Sequence, residues 1–154
     1  MTAAFREYLY RPQHLRERLQ RAEERLSEVW ANCTRMTAQY GGCGGMGGSG
    51  GSAKDGALAA YSDLHDVRQL ERDFENAVDD MLRFLQAMAD ADPRHGKRDS
   101  IILRERYLKQ RSWEDTMQTL HKAGFSCGHI QTAYYWHRCA LRRGEQLWEE
   151  SHEP

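Results

Sequence analysis

Two long stretches of this chain repeat apolar residues at spacings that alternate between four and three. In the first stretch the positions are Leu15, Leu19, Ala22, Leu26, Val29, Cys33, Met36 and Tyr40. In the second they are Ala60, Leu64, Val67, Phe74, Val78, Met81, Leu85 and Met88, with charged Glu71 in one slot. This spacing puts the apolar residues on one face of a helix. We therefore predict two long helices, each with a stripe that a partner helix must cover.

The ends of these helices follow from proline and glycine. Pro12 suits the first turn of a helix that runs to Tyr40. Eight of the twelve residues at 41–52 are glycine, which loses much backbone entropy on ordering, so we predict a flexible linker there. Two helices joined in this way most simply fold back as an antiparallel hairpin over residues 1–92. The alternative is pairing between two chains, which would give a homodimer through the long helices.

Composition agrees with an all-α fold. Charged residues make up 29% of the chain, and there are only three prolines. No apolar run has the length of a bilayer crossing, and no signal-peptide pattern opens the sequence. The four cysteines lack the spacing of a disulfide or zinc framework. We expect a cytoplasmic protein that has no membrane partner.

The charge of the chain is unevenly distributed. Residues 98–143 carry nine Lys and Arg against four Asp and Glu, a net charge of +5. Residues 1–97 carry thirteen against fifteen, and residues 144–154 carry none against four, which makes an acidic tail. A local basic segment in a nearly neutral chain is typical of a nucleic-acid reader. We place a domain boundary near 93, where the run from Asp92 to Gly96 breaks the second helix.

The basic segment has the signals of a helix-turn-helix over 93–143. A short helix from Arg98 comes first. Ser112 is a predicted N-cap, with Asp115 three residues on to return a bond, and Gly124 suits the left-handed residue that ends the next helix. Ser126 is a predicted cap for a last helix from about Cys127 to Arg143, although its start can fall anywhere up to Gln131.

The faces of that last helix predict its contacts. Its core side is expected to carry Ile130, Ala133, Tyr134, His137 and Leu141. Residues near the start of a recognition helix usually meet base edges, so the predicted base readers are His129, Gln131, Thr132 and Tyr135. The predicted phosphate contacts are Arg138, Arg142 and Arg143. Double-stranded DNA is the expected partner.

Residues 102–147 resemble the C-terminal region of the ArpU and RinA type phage transcriptional regulators, which is similar to region 4 of sigma factors. The resemblance lies in Ile102-Leu103 with Arg106-Tyr107, in Ser112-Trp113-Glu114, and in the segment 134–141. It implies a phage or prophage protein in which a helical N-terminal region precedes a DNA-binding unit, and RNA polymerase is a further implied partner.

Other chemistry has weaker support in the sequence. His121, Cys127, His129, His137 and Cys139 lack the spacing of a zinc site, so we expect no metal and no cofactor. Adjacent acidic residues, such as Asp79 with Asp80, point to different sides of a helix, so we expect no enzyme.

The function expected from the sequence is a phage-type transcriptional regulator. The first alternative is a phage-encoded helical protein that binds and inhibits a host protein, either a polymerase or a defence nuclease. The second is a small terminase-like packaging protein, which would form a ring.

Overall fold

The computed structural model describes residues 1–40 and 51–152, and its regular elements in these ranges are all helical. The α-helices there are α1 (Ala3–Tyr40), α2 (Gly51–Ala91), α3 (Gly96–Leu103), α4 (Trp113–Lys122) and α5 (Ile130–His152). A π-helical segment, Arg104–Leu108, continues directly from α3. The predicted all-α class is therefore confirmed for the described residues. None of these helices combines the length and the apolar character that a membrane crossing requires.

The predicted glycine linker lies mostly outside the described residues, since positions 41–50 are not among them. Its last two positions, Gly51 and Ser52, belong to α2, so the linker prediction is wrong there. Adding a residue to an existing helix is much easier than starting one, and the stretch that follows is rich in alanine.

α1 begins at Ala3, so the predicted start at Pro12 is wrong. A proline inside a helix cannot donate to the carbonyl one turn earlier, here that of Tyr8, at a cost of about 3 kcal/mol. Phe5 and Leu9 lie before Pro12 and are fully buried. Burying a side chain of either kind contributes about 1.5–3 kcal/mol, which offsets the cost and extends the helix.

The packing of the chain divides into two compact units: the first unit, Met1–Gln13 with Asn76–Pro154, and the second unit, His14–Glu75. The predicted boundary near 93 is not where the packing divides. Met88 and Leu103 lie on either side of that position and belong to one hydrophobic core.

The core of the first unit gathers residues from α1, α2, α3, the π-helical segment and α5. Its buried side chains are Phe5, Leu9, Met81, Leu85, Met88, Leu103, Tyr107 and Ala140. In this unit α1 and α2 run antiparallel: the rings of Phe5 and Phe84 lie 6.0 Å apart, and Tyr8 Oη donates to the Asp80 carbonyl at 3.2 Å. Burial raises the pKa of Tyr8 to about 12, so this hydroxyl remains a donor at neutral pH.

The second unit contains the described stripe residues of α1 and those of α2 up to Phe74, while the stripe residues from Val78 onward belong to the first unit. Glu71, the one charged slot, is exposed. The predicted stripe residues Cys33, Met36 and Tyr40 lie outside the residues whose side chains are described. The buried stripe residues of this unit are Leu15, Ala22, Ala60 and Val67. The full-length hairpin and the alternative pairing between two chains stay predictions.

A tight turn joins α2 to α3, as the break predicted at Asp92–Gly96 requires. Asp92 Oδ1 accepts the backbone N–H of Arg94 at 2.9 Å and that of His95 at 3.1 Å. These bonds, led by the one from Arg94, lower the pKa of the Asp92 carboxyl. A Cβ added to Gly96 would lie 2.8 Å from the Ala89 carbonyl oxygen and closer still to that of Met88. Only glycine allows the chain to turn this close to α2.

Candidate nucleic-acid interface

α4 begins as the sequence predicts. Ser112 Oγ accepts the backbone N–H of Asp115 at 3.1 Å and donates to its carboxylate at 3.0 Å. Thr116, which is fully buried, donates its hydroxyl to the Ser112 carbonyl at 2.7 Å. The N-cap is therefore confirmed, and it fixes the direction in which α4 leaves the preceding loop.

The turn after α4 contains the predicted left-handed glycine, since Gly124 has a φ of +89°. The next helix starts within the predicted range from Cys127 to Gln131, but too late for Ser126 to cap it, so the predicted cap is wrong. α5 begins at Ile130, and the His129 carbonyl accepts the first helical N–H, that of Thr132, at 3.0 Å. Phe125 packs against a hydrophobic core that α3, α4 and α5 share, so the chain runs along this core before α5 begins.

That second core holds α3, α4 and α5 together. Ile101, Ile102 and Leu120 are its buried members, and Phe125 and Trp136 pack against them from the turn and from α5. The core therefore determines which side of α5 faces inward.

The buried residues of α5 are all small: Ala133, Ala140 and Gly144. Two residues predicted to face the core are instead exposed, Ile130 at 38% and Tyr134 at 42%. The ring centroid of Tyr134 lies 4.7 Å from that of Trp113, edge to face, which places it at the edge of the α4 contact. Small inward residues let α5 approach its neighbours closely and leave the larger side chains at its margins.

α5 also extends past its predicted end at Arg143 and continues to His152. Leu147 and Trp148 pack against the core of the first unit. The acidic segment that begins at residue 144 is therefore helical through His152, and it is part of the packed structure.

His137 is half-buried on α5, where its Nε2 lies 3.1 Å from the Tyr107 hydroxyl. Burial, with a further contribution from the nearby Arg106 charge, lowers the pKa of His137 to about 4. Burial also raises the pKa of Tyr107 to about 12. At neutral pH both groups are uncharged, and the imidazole can accept the phenol hydrogen. This pair ties α5 to the π-helical segment.

Most of the basic residues of 98–143 already have partners within the chain. Asp99, which is fully buried, accepts from Arg98 at 2.9 Å and from Arg143 at 2.7 Å. Glu105 accepts from Arg104 at 3.3 Å and from Lys109 at 2.9 Å. These pairs reduce the number of cations available to an external partner.

Arg106 is also engaged, because its guanidinium lies 4.5 Å from the ring centroid of Trp113 and donates to the Arg111 carbonyl. Among the nine basic residues of 98–143, four side chains make no hydrogen bond or ion pair with a described residue: Arg111, Lys122, Arg138 and Arg142. Arg111 and Lys122 are not among the contacts predicted from the sequence. The segment contains four carboxylates, so its sequence indicates that some of its nine cations have partners within the chain. The sequence does not indicate which ones.

Four exposed side chains form a line along the outer side of α5, at spacings of four, three and four. We call this line the α5 stripe: Gln131, Tyr135, Arg138 and Arg142. At 100° per residue all four lie within about one sixth of a turn of one another, opposite buried Ala133 and Ala140. No hydrogen bond, ion pair or ring contact links any of them to a side chain or backbone group in the described part of the chain. The stripe is therefore free for an external partner.

The other predicted contacts lie elsewhere. His129 is exposed but precedes the helix, and Thr132 is half-buried beside the stripe. Arg143 turns inward to Asp99, so its assignment as a phosphate contact is corrected to a structural one. The reason is that Asp99 occupies a fully buried position on α3 that needs a cation.

The histidines and cysteines of this region are dispersed. In the described ranges no group of three His, Cys, Asp or Glu side chains is arranged to hold a metal ion. The Cys127 thiol lies 3.4 Å from the His129 carbonyl, and His137 is occupied by Tyr107. The acidic pairs at 79–80 and 149–150 are exposed.

Comparisons of this chain with protein-family models, with curated proteins and with solved structures found no match. The resemblance to phage regulators stays a prediction from the residues, and the arrangement of α4, the turn and α5 has to support a function by itself.

Proposed function

We propose that this chain is a DNA-binding transcriptional regulator of the kind that phages and prophages encode, with α4 and α5 as its helix-turn-helix. α5 is the recognition helix. In this role the α5 stripe enters the major groove of duplex DNA, while the second core holds the helix against α3 and α4.

The observation that supports the proposal best is the α5 stripe. Arg138 and Arg142 are two of the four basic residues of 98–143 whose side chains make no hydrogen bond, ion pair or ring contact with a described residue, and both project from the same line. Guanidinium groups pair with phosphate oxygens through several donors at once. Gln131 and Tyr135 lie on the same line toward the start of the helix, where base edges are usually read.

The other basic residues of 98–143 are less well placed to contact DNA phosphates from the recognition helix. Arg98 and Arg143 are committed to buried Asp99, and releasing them would leave a carboxylate without its partners. Arg111 precedes α4, and Lys122 ends it. In the proposed complex these two residues contact the backbone on either side of the recognition helix, as the first helix of such a unit usually does.

The proposal is tested with the double variant Arg138→Ala/Arg142→Ala in a salt series, with binding to a labelled duplex followed by fluorescence anisotropy. Each phosphate contact contributes about 0.9 to the slope of log affinity against log salt, so the slope should fall by about 1.8. Circular dichroism should show an unchanged helix content, because both side chains are exposed.

A matched control removes the same number of positive charges from the second unit. Arg16 and Arg68 are exposed residues of the second unit, and Arg16→Ala/Arg68→Ala should leave the salt slope as it is. Equal losses in both double variants would mean that net charge, and not α5, carries the binding. A parent chain that binds no duplex at any salt concentration would contradict the proposed function itself.

A second candidate function, binding to a host protein such as a polymerase or a nuclease, has one observation in its favour. Three large side chains at the start of α5 are exposed: Ile130 at 38%, Tyr134 at 42% and Tyr135 at 58%. Tyrosine and arginine are enriched at protein interfaces. This candidate predicts that Tyr134→Ala weakens binding to purified host RNA polymerase while the affinity for duplex DNA is unchanged.

A further inference from the structure

Resting on the proposed function, we infer that the α5 stripe reads A·T base pairs in the major groove, with the Gln131 amide on adenine and the Tyr135 ring on the thymine methyl group. Arg138 and Arg142 then hold the phosphates and carry little sequence information.

The stripe changes its chemistry along the helix. Its first two members are uncharged and its last two are arginines. In the sequence no Lys or Arg occurs between 123 and 137. The commonest specific contact to guanine is a bidentate arginine or lysine. The part of α5 that meets base edges therefore has no such side chain, which disfavours a guanine reader there.

Gln131 has the complementary pattern for adenine. It is exposed in the first turn of α5, and its amide forms no hydrogen bond with the described residues, so both its donor and its acceptor are available. Adenine presents an acceptor, N7, and a donor, the N6 amino group, to the major groove. One side-chain amide satisfies both groups at once.

Tyr135 supplies an apolar surface one turn further along the same line. It is 58% exposed, compared with 42% for its neighbour Tyr134. Its neighbour Tyr134 already has a ring contact, with Trp113, but Tyr135 has none among the described aromatic residues. The thymine C5-methyl is the apolar group that distinguishes base pairs in the major groove. The free ring of Tyr135 is therefore placed for that group.

The inference is tested with base analogues in the full chain. A duplex library with a randomised core is first used to select the preferred site. In the selected duplex, thymine is then replaced by uracil, which removes only the methyl, and adenine by 7-deazaadenine, which removes only N7. The parent chain should bind each analogue duplex about fivefold or more weakly, in line with the discrimination that one good base contact provides.

Side-chain variants then assign each contact. Gln131→Ala should lose its sensitivity to 7-deazaadenine and keep its sensitivity to uracil, and Tyr135→Ala should show the reverse. Tyr135→Phe keeps the ring and removes only the hydroxyl, so it should still discriminate thymine from uracil. Both positions are exposed, and circular dichroism checks that the three variants remain folded.

The outcomes separate the two proposals. A selected site without A·T preference, or analogue duplexes that bind as tightly as the parent duplex, would overturn this inference while salt-dependent binding through the arginines upholds the proposed function. A Tyr135→Phe variant that loses methyl discrimination would also overturn it, since the hydroxyl would then be the reader. Failure to bind any duplex would overturn both.

Discussion

Arg143 on α5 donates from Nε to Oδ2 of Asp99 on α3 at 2.7 Å. Asp99 is fully buried, and its other oxygen accepts from Arg98, so one carboxylate joins two arginines. The Arg98 guanidinium also lies 4.6 Å from the ring centroid of Trp136 on α5. The proposed recognition helix is thus held on α3 by a charge pair and by a cation–π contact.

Removing the Asp99 carboxylate should lower the free energy of unfolding more than removing its partner Arg143. Asp99→Ala leaves two arginines without their acceptor, and we expect it to lower the free energy of unfolding by about 3–5 kcal/mol. Arg143→Ala should lower it by about 1–2 kcal/mol, because Arg98 still neutralises Asp99 and Arg143 is itself partly exposed. Urea denaturation of both variants gives the order.

The neighbouring Arg142 provides the control for that comparison. It is exposed and makes no ion pair within the described part of the chain, so Arg142→Ala should change the free energy of unfolding by less than about 0.5 kcal/mol. If Arg143→Ala costs no more than Arg142→Ala, the pair with Asp99 does not stabilise the fold.

His137 should make the stability of the fold sensitive to mild acid. Its pKa falls from 6.5 to about 4 in the folded chain, so the unfolded chain binds more protons between these values. The free energy of unfolding contributed by this group is fully present above pH 6.5 and is lost as the pH falls toward 4. With allowance for partial exposure we expect a loss of about 1–2 kcal/mol.

Chemical denaturation at several pH values measures that loss, and His137→Gln is the comparison, since glutamine can still accept from Tyr107 but does not titrate. The parent and the variant should differ in slope between pH 6.5 and 4. Parallel pH profiles would show that another group causes the acid sensitivity.

The features predicted correctly from the sequence are those that depend on a few neighbouring residues. The Ser112 cap, the left-handed Gly124 and the break at Asp92 each follow from the local conformational preferences of one residue type. The apolar stripes were predictable because burial repeats along a helix with a fixed period.

The features predicted wrongly depend on residues that are distant in the sequence. Ile130 and Tyr134 look like core residues by polarity, but the buried positions of α5 are occupied by small residues, whose burial gives no periodic apolar signal. Arg143 looks like a phosphate contact because its partner lies 44 positions away. The hint available in the sequence was Asp99, two positions before the apolar run at 101–103, because a carboxylate buried with that run would need cations as partners.

Gly96 should tolerate no larger side chain. In Gly96→Ala the added Cβ would meet backbone carbonyl oxygens of Met88 and Ala89, and backbone cannot move aside as a flexible side chain can. We expect the free energy of unfolding to fall by about 1–3 kcal/mol, which thermal or urea denaturation would measure. Lys97→Ala changes the next residue, which is exposed, and should have little effect. Equal stabilities for the two variants would mean that α2 and α3 are not packed this closely.

The turn between α4 and α5 allows a comparison of two glycines that differ in conformation and not in space. A Cβ added to Gly124 or to Gly128 would meet no atom within 4 Å, but Gly124 has a φ of +89°. Gly124→Ala should therefore lower the free energy of unfolding by about 1–2 kcal/mol, because an L side chain strains the left-handed conformation. Gly128→Ala should raise it slightly, by about 0.4–1 kcal/mol, because alanine restricts the unfolded chain. Denaturation of the two variants side by side measures the difference, and a Gly124→Ala variant as stable as Gly128→Ala would show that the turn does not need the left-handed residue.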